Sequence, residues 1–379
     1  MAGDQAASRQ AQPIGVAVVG AGYWGPNLVR NFATSPEYRL TWLCDLDESR
    51  AVRALGPYST VGVTDDLATV LADERVDAVA VATPAGTHLD IALAAMRAGK
   101  HVLVEKPLAA TYADGLRLVQ EAERARLILM CDHTFCYTPA VQKMREMVHS
   151  GELGDLHFFD SVRINLGLVQ ADTDVLWDLA PHDISILEAV LPPGVEAQSV
   201  AAHAADPIGA GRPCVAFVTL QLTSGAIAHF HVNWLSPTKV RTTMIGGSKR
   251  ALLWDDLNPQ QRVTVFDRGV DLIPAEEVGE QDRETALISY RTGDLTSPAL
   301  ANREALAGVV QEFADSIRTG RPPLTDGRSG LRVLAILEAA SQSIALDGIP
   351  MPLYGSGAGR DLHEQSHLAF QPRRALADR

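Results

Sequence analysis

Residues 14–25 read IGVAVVGAGYWG: an unbroken apolar run from Ile14 to Val19 leads straight into Gly20, Gly22 and Gly25. Glycines at this spacing, behind a strand and ahead of a helix, suit a dinucleotide pyrophosphate, and each has its own task. Gly20 permits the tight turn off the strand. Gly22 lets bare backbone approach the phosphates, and Gly25 lets the next helix pack on the sheet. Pro26 falls in the first helical turn, where its missing N–H costs little. The next apolar run, Leu40 to Cys44, closes on Asp45, twenty residues after Gly25. A carboxylate there can accept from ribose hydroxyls and repel a 2′-phosphate, which favours NAD over NADP. Arg50 and Arg53 lie close enough in sequence to temper that preference. Tyr23 and Trp24, between the glycines, are counted with the cofactor loop.

Short apolar runs and helical patterns alternate through the rest of the first third. The runs IGVAVV, LTWLC, DAVAVAT, HVLVE and LILMCD are separated by stretches that include Trp24 to Thr34, Thr87 to Ala98 and Ala113 to Ala125. Continuous apolar strands between helices predict a parallel sheet covered on both faces, a doubly wound Rossmann unit. From about Leu153 the rhythm changes. Longer runs (LHFFDSVRINLG, CVAFVTLQL, AIAHFHVNWL, KVRTTMIGG, ALLWDD, RVTVFD) follow one another with short turn signals, which predicts an antiparallel sheet. Two amphipathic helices, Arg303 to Thr319 and Arg328 to Leu346, close the pattern, the first stopping at Gly320 before Pro322. The predicted fold is α/β: an N-terminal Rossmann domain (13–135) and a C-terminal α+β domain (136–354) with a large open, mostly antiparallel sheet. Residues 1–12 and 355–379 are predicted to be mobile tails.

Bulk properties narrow the function classes. A chain of 379 residues with 46% apolar composition can fill a sizeable core. Its formal net charge of −13 argues against a nucleic-acid partner, because counterion release requires clustered Lys and Arg. Cys44, Cys131, Cys136 and Cys214 lack metal-ligand or CxxC spacing, and three of them, in or beside apolar runs, read as buried free thiols; a reducing cytoplasm and no metal site are expected. No apolar run approaches the length of a membrane span.

In a doubly wound sheet, ligands gather beyond the carboxyl ends of the strands. Those ends deliver the glycines, Asp45, Thr83 with Pro84, and Glu105-Lys106-Pro107. Lys106 at such an end can reach a substrate oxygen beside a nicotinamide and stabilise developing negative charge. In the second half, WDLAPHDISIL sets Asp178 and His182 four residues apart. With Pro181 tolerable in a first helical turn, both side chains are predicted to face one cleft from a helix N-terminus. His182 is the natural proton carrier, since an imidazole titrating near neutrality can take and return a hydroxyl proton. Arg163 and Asn165 alternate along one strand, and Lys239 and Arg241 along another, so they are candidates for lining a ligand face.

Together GAGYWG, ATPAGTH, GKHVLVEKPLA and WDLAPHDISIL resemble the Gfo/Idh/MocA oxidoreductases from about Ile14 to Gly348. More narrowly, HTFCYTPAVQKM, RINLG, NWLSPTKVR and the closing helices resemble the nucleotide-sugar dehydrogenases acting at C3 of UDP-N-acetylhexosaminuronic acids. The resemblance implies an NAD-binding first domain whose ligands include Thr83, Pro84, His88, Glu105 and Lys106. It implies a second domain that binds substrate and supports a homodimer or homotetramer. Lys106 and His182 are implied as the catalytic pair, with Asp178 holding sugar or histidine, and Pro107 as a cis proline. Many family members carry Gly between the Asp and the His, where this chain has Leu179, Ala180 and Pro181.

The expected activity is hydride transfer between NAD and a ring carbon, C3, of a nucleotide-activated sugar. The alternatives are dehydrogenation of a free polyol or aldose such as inositol, and non-catalytic sensing of sugar or NAD on the same scaffold. No nucleic-acid or membrane partner is expected.

Overall fold

The computed structural model describes residues 12–56, 59–170, 173–272 and 288–353. Of the two expected tails, only Gln12 falls within the described residues.

The first half alternates as β1 (Ile14–Val19), α1 (Gly25–Thr34), β2 (Tyr38–Cys44), α2 (Glu48–Leu55), β3 (Gly62–Thr64), α3 (Leu67–Ala72), β4 (Ala78–Val81), α4 (His88–Arg97), β5 (His101–Glu105), α5 (Tyr112–Ala125) and β6 (Leu129–Asp132). The strands form one parallel sheet in the order β3-β2-β1-β4-β5-β6. All six residues of β1 are buried, as expected for a central strand covered on both faces. The strand order reverses between β1 and β4, so the loops after Val19 and Val81 flank the crevice where such sheets bind ligands. Three elements escaped the sequence reading. Strand β3 has only three residues, and α2 and α3 are short helices started by the side chains of Asp47 and Asp66 rather than by an apolar stripe.

The second half contains α6 (Pro139–His149), β7 (Leu156–Leu166), α7 (Val175–Val190), β8 (Ala197–Ala205), β9 (Val215–Leu222), β10 (Ile227–Asn233), β11 (Leu235–Gly247), β12 (Ala251–Asp255), β13 (Val263–Leu272), β14 (Ile288–Thr296), α8 (Ala305–Thr319), α9 (Gly327–Ala345) and β15 (Met351–Pro352). Nine strands form the sheet β14-β13-β12-β11-β7-β10-β9-β8-β15. It is mostly antiparallel, but β7 and β10 run parallel, with Phe158 opposite Ile227 and Ile164 opposite Asn233. The connection between them includes helix α7, and such a crossover is what a parallel pair requires. The sheet is mostly antiparallel, as the sequence implies, but β8 is not legible there, because its alanine-rich AQSVAAHAA has Val200 alone of the β-branched and aromatic residues that mark strands.

Helices α7 and α9 cover one face of this sheet. Helix α9 also faces the first sheet: Leu331 and Leu334 pack in its core, while Val333, Ile336 and Leu337 pack in the other. Helix α8 buries Leu306, Val309, Val310 and Phe313 against β1 and α1, and the Tyr38 hydroxyl donates to the Val310 carbonyl at 2.8 Å. The chain therefore closes back on its first half, and side chains from both sheets meet in fixed positions. Among the described residues, no helix is long and apolar enough to cross a membrane.

Candidate active site

The glycine loop has the shape its sequence requires. Gly20 adopts φ +101°, and a Cβ there would lie 2.6 Å from the Ala82 carbonyl oxygen. A Cβ on Gly25 would lie 2.1 Å from the Gly20 carbonyl oxygen, so the start of α1 touches the turn directly. Around Gly22 the space within 4 Å of a built Cβ is empty. An open backbone at the middle glycine, beside a helix that begins without a side-chain cap, fits a pyrophosphate. Asp45 sits at the adjoining strand end with its carboxylate largely buried. It accepts from the Ala21 amide at 2.6 Å and the Asp47 amide at 2.8 Å, and Arg50 approaches to 3.8 Å. Arg53 turns instead to Asp47.

The remaining expected cofactor residues divide. Tyr23 is 95% exposed at the loop tip. Trp24 folds back, donating from its indole to Asp132 at 3.2 Å. Thr83 and Pro84 begin a short turn held by the Thr87 hydroxyl, so they do flank the crevice. His88 does not. Its ring is buried, with Nδ1 2.9 Å from the Pro107 carbonyl and Nε2 2.8 Å from the Thr83 carbonyl, and the assignment as a direct cofactor ligand is corrected. Burial holds its basicity below the usual histidine range. A neutral ring can donate to only one of those carbonyls, and the ring ties the loop after β4 to the loop after β5.

That second loop carries the cis Lys106-Pro107 bond implied by the resemblance. Glu105 lies opposite Asp132 in the β5–β6 register, and its Oε2 accepts from the Lys106 amide at 3.0 Å. Burial and the neighbouring Asp132 push the Glu105 carboxyl well above the usual carboxylate range. Asp132 is raised by burial but accepts from Thr134 at 2.7 Å and from Trp24. Burial is the first cause of both shifts, and two carboxyls side by side resist ionising together. Glu105 thus faces into the sheet rather than outward to a ligand.

Lys106 reaches across to the second half. Its Nζ donates to the Asp178 carbonyl at 3.1 Å and lies 3.4 Å from Asp178 Oδ1. The other carboxylate oxygen, Oδ2, accepts from the Trp234 indole at 3.1 Å. Asp178 thereby orients the ammonium. It makes no hydrogen bond to His182, so of its two expected partners, sugar and histidine, the imidazole is not held. The helix geometry explains why. Asp174 caps α7, accepting from the Trp177 amide at 3.0 Å, so Pro181 lies inside the helix and not in its first turn. Without an N–H on Pro181, the Trp177 carbonyl loses its helical donor, and the Asp178 carbonyl one residue on receives the lysine.

His182 lies one turn beyond Asp178, its ring edge-on to Phe135 at 5.1 Å between centroids. Its Nδ1 is buried without a partner, while Nε2 keeps access to solvent. Burial first, then the positive charges of Lys106 and Arg163, then His133 and Arg241, hold its basicity far below the usual range. The ring is therefore neutral and ready to accept a proton at Nε2.

One expected substrate ligand proves to be structural. Arg163 is 3% exposed and forms a two-pronged pair with Asp183, both distances 2.8 Å. Its guanidinium also stacks on Phe135 at 4.4 Å. It offers no free fork to a ligand, because the strand alternation that aims it inward aims it at helix α7. Arg241, opposite Arg163 in the β7–β11 register, pairs with Asp256 at 3.2 Å and lies 5.5 Å from the same ring. It remains partly exposed. Lys239 is exposed and Asn165 half-buried on the same strands. Phe135 and Trp234, which organise the centre together with Asp183, are not picked out by the sequence. The signal for the first was present in the HTFCY run, but an aromatic in an apolar segment reads as core. All four cysteines are buried and free, and no metal-binding cluster occurs among the described residues.

Comparison with known proteins bears on this geometry. Residues 14–133 match the profile described as "Oxidoreductase family, NAD-binding Rossmann fold", and residues 141–253 match the "GFO/IDH/MocA C-terminal domain". The myo-inositol 2-dehydrogenase of Thermotoga maritima is 26% identical over 344 residues, covering 87% of this chain and 96% of its own. The UDP-N-acetylglucosamine 3-dehydrogenase of Acidithiobacillus ferrooxidans is 28% identical over 265 residues, covering 69% and 76%. The structure of GenD2 from gentamicin A biosynthesis, in complex with NAD, superposes with a TM-score of 0.74 at 26% identity and covers 92% of this chain and 98% of its own.

Proposed function

Because the chain belongs to the GFO/IDH/MocA oxidoreductase family, we propose that it moves a hydride between NAD and C3 of a nucleotide-activated sugar. The observation that carries this reading is the convergence of Lys106 from one half and His182 from the other, with Asp178 holding the lysine. The glycine loop and Asp45 fit a dinucleotide, with Asp45 favouring NAD over NADP. Nicotinamide, when bound, supplies the hydride acceptor or donor.

The protein's own groups do the rest. Lys106 presents an ammonium to the substrate oxygen and favours developing alkoxide charge. His182, held neutral by burial and neighbouring cations, takes the hydroxyl proton at Nε2 and returns it in the reverse direction. Asp178 keeps Lys106 aimed. With Arg163 spent on Asp183, recognition of the nucleotide falls to Lys239, Arg241 and Asn165. Support for a nucleotide sugar comes from the Acidithiobacillus relative and the resemblance of the strand and helix motifs.

A free polyol is the competing substrate, favoured by the match to the inositol dehydrogenase over nearly its whole length. NADH formation measured against UDP-N-acetylhexosamines, their uronic acids and free myo-inositol separates the two. Turnover on inositol alone would replace the nucleotide-sugar reading. His182→Ala is expected to lower kcat by roughly 100- to 10,000-fold with NAD binding retained. Full turnover in that variant would remove the proton-carrier role.

A further inference from the structure

A second pocket, of about 180 Å³, opens between α6, α7, the residues just before α9 and the first turns of α9. None of Gly20, Asp45, Lys106, Asp178 and His182 lines it. Its polar wall includes His133, Arg145, Ser185, Glu188, Ser329 and Arg332, beside His149 and Thr325, which already bond the Leu191 and Cys131 carbonyls. Arg332 is paired with Glu188, which leaves most of its guanidinium N–H groups unused. Arg145 has no hydrogen-bond partner among the described residues, and its Nε is fully buried. The carboxylate that feels its charge, Glu312, is already occupied by Arg321 and the Leu324 amide.

His133 supplies the second observation. It is 1% exposed, and neither ring nitrogen has a partner. Buried donors left without acceptors are costly, and native proteins satisfy them with a ligand or ordered water. The two serine hydroxyls are engaged, Ser185 with the His182 carbonyl and Ser329 with the Asp326 carbonyl. The unspent groups are thus two guanidiniums and an imidazole, facing one carboxylate. Their net charge is positive.

We propose that this pocket binds a small oxyanion, a phosphate or a small carboxylate, gripped by Arg145, Arg332 and the ring of His133. A planar or tetrahedral group of oxygens can accept from a guanidinium fork and an imidazole at once. The volume has room for one such anion with water. The site goes beyond the dehydrogenase reading and does not depend on it. Ser185 nonetheless places the anion one helical turn from His182.

The test is calorimetric titration of the full chain with inorganic phosphate and, separately, malonate, at ionic strength held constant with chloride. Saturable binding of at least one anion is expected, and which of them binds distinguishes the two sources. Affinity should fall at least tenfold in Arg145→Met and several-fold in Arg145→Lys, which retains the charge but loses the fork. Phosphate held at the glycine loop would be indifferent to Arg145. NAD affinity, measured alongside, reports folding and the cofactor site. No saturable binding of either anion, or equal affinity in the wild type and Arg145→Met, would overturn the proposal.

Discussion

At the scale of single residues, the site works through positive charges gathered around one imidazole. His182 is surrounded by Lys106 from the first sheet, Arg163 and Arg241 from β7 and β11, and His133 after β6, all acting against its protonation. The carboxylates nearby are committed elsewhere: Asp178 to Lys106, Asp183 to Arg163 and Asp256 to Arg241. A histidine with lowered basicity stays neutral as pH falls past its ordinary value near 6.5. The acid limb of kcat/KM for alcohol oxidation is therefore expected well below pH 6.5, and Arg241→Met should move it upward by removing one repelling charge. A limb at the ordinary histidine value in both proteins would contradict the arrangement. The Arg163–Asp183 pair allows a second test. Removing one partner of a buried pair leaves an uncompensated charge, so Asp183→Ala should cost about 3–5 kcal/mol in urea unfolding. Arg163→Met with Asp183→Leu should recover most of that loss, because the pair's desolvation cost disappears with its attraction.

At the scale of elements, the glycine loop separates folding from binding. A methyl on Gly25 meets the Gly20 carbonyl at 2.1 Å, whereas one on Gly22 meets nothing within 4 Å. Gly25→Ala is accordingly expected to lower the melting temperature. Gly22→Ala should leave it unchanged while weakening NAD binding at least tenfold, as read by fluorescence titration. Equal melting losses in the two variants would show that Gly22 serves the fold and not the ligand. The β1–α1 unit, the Asp45 strand end and the β5 end were legible in the sequence because local chemistry defines them: an apolar run, a turn that tolerates only glycine, a proline that stops a strand. Helix α7 was misread for the opposite reason. Placing Pro181 in the first turn follows local preference, but the cap at Asp174 starts the helix earlier, and buried packing of Pro181 outweighs the lost backbone bond.

At the scale of the whole molecule, the helices α7 and α9 cover one side of the nine-stranded sheet, and among the described residues large apolar side chains stand exposed on the other. Phe158, Phe217 and Ile227 are exposed there on β7, β9 and β10, and Phe217 stacks with His231 at 4.4 Å. An apolar sheet face of this kind suits pairing with a second copy of the chain. Sedimentation should show a dimer or tetramer, reduced to a smaller species by Phe217→Asp, and a monomeric wild type would refute that assembly. The amino-acid sequence by itself determined the strand order's starting motif, the dinucleotide loop with its acidic partner, and the identities of Lys106, Asp178 and His182, since each rests on residue type and short-range spacing. Only the tertiary structure decided what those side chains touch. Lys106 meets Asp178 and Arg163 meets Asp183 through pairings between distant segments, and His88 becomes a clamp between two loops. Burial and cross-sheet neighbours set those roles, and neither is encoded in the local pattern of a strand or helix.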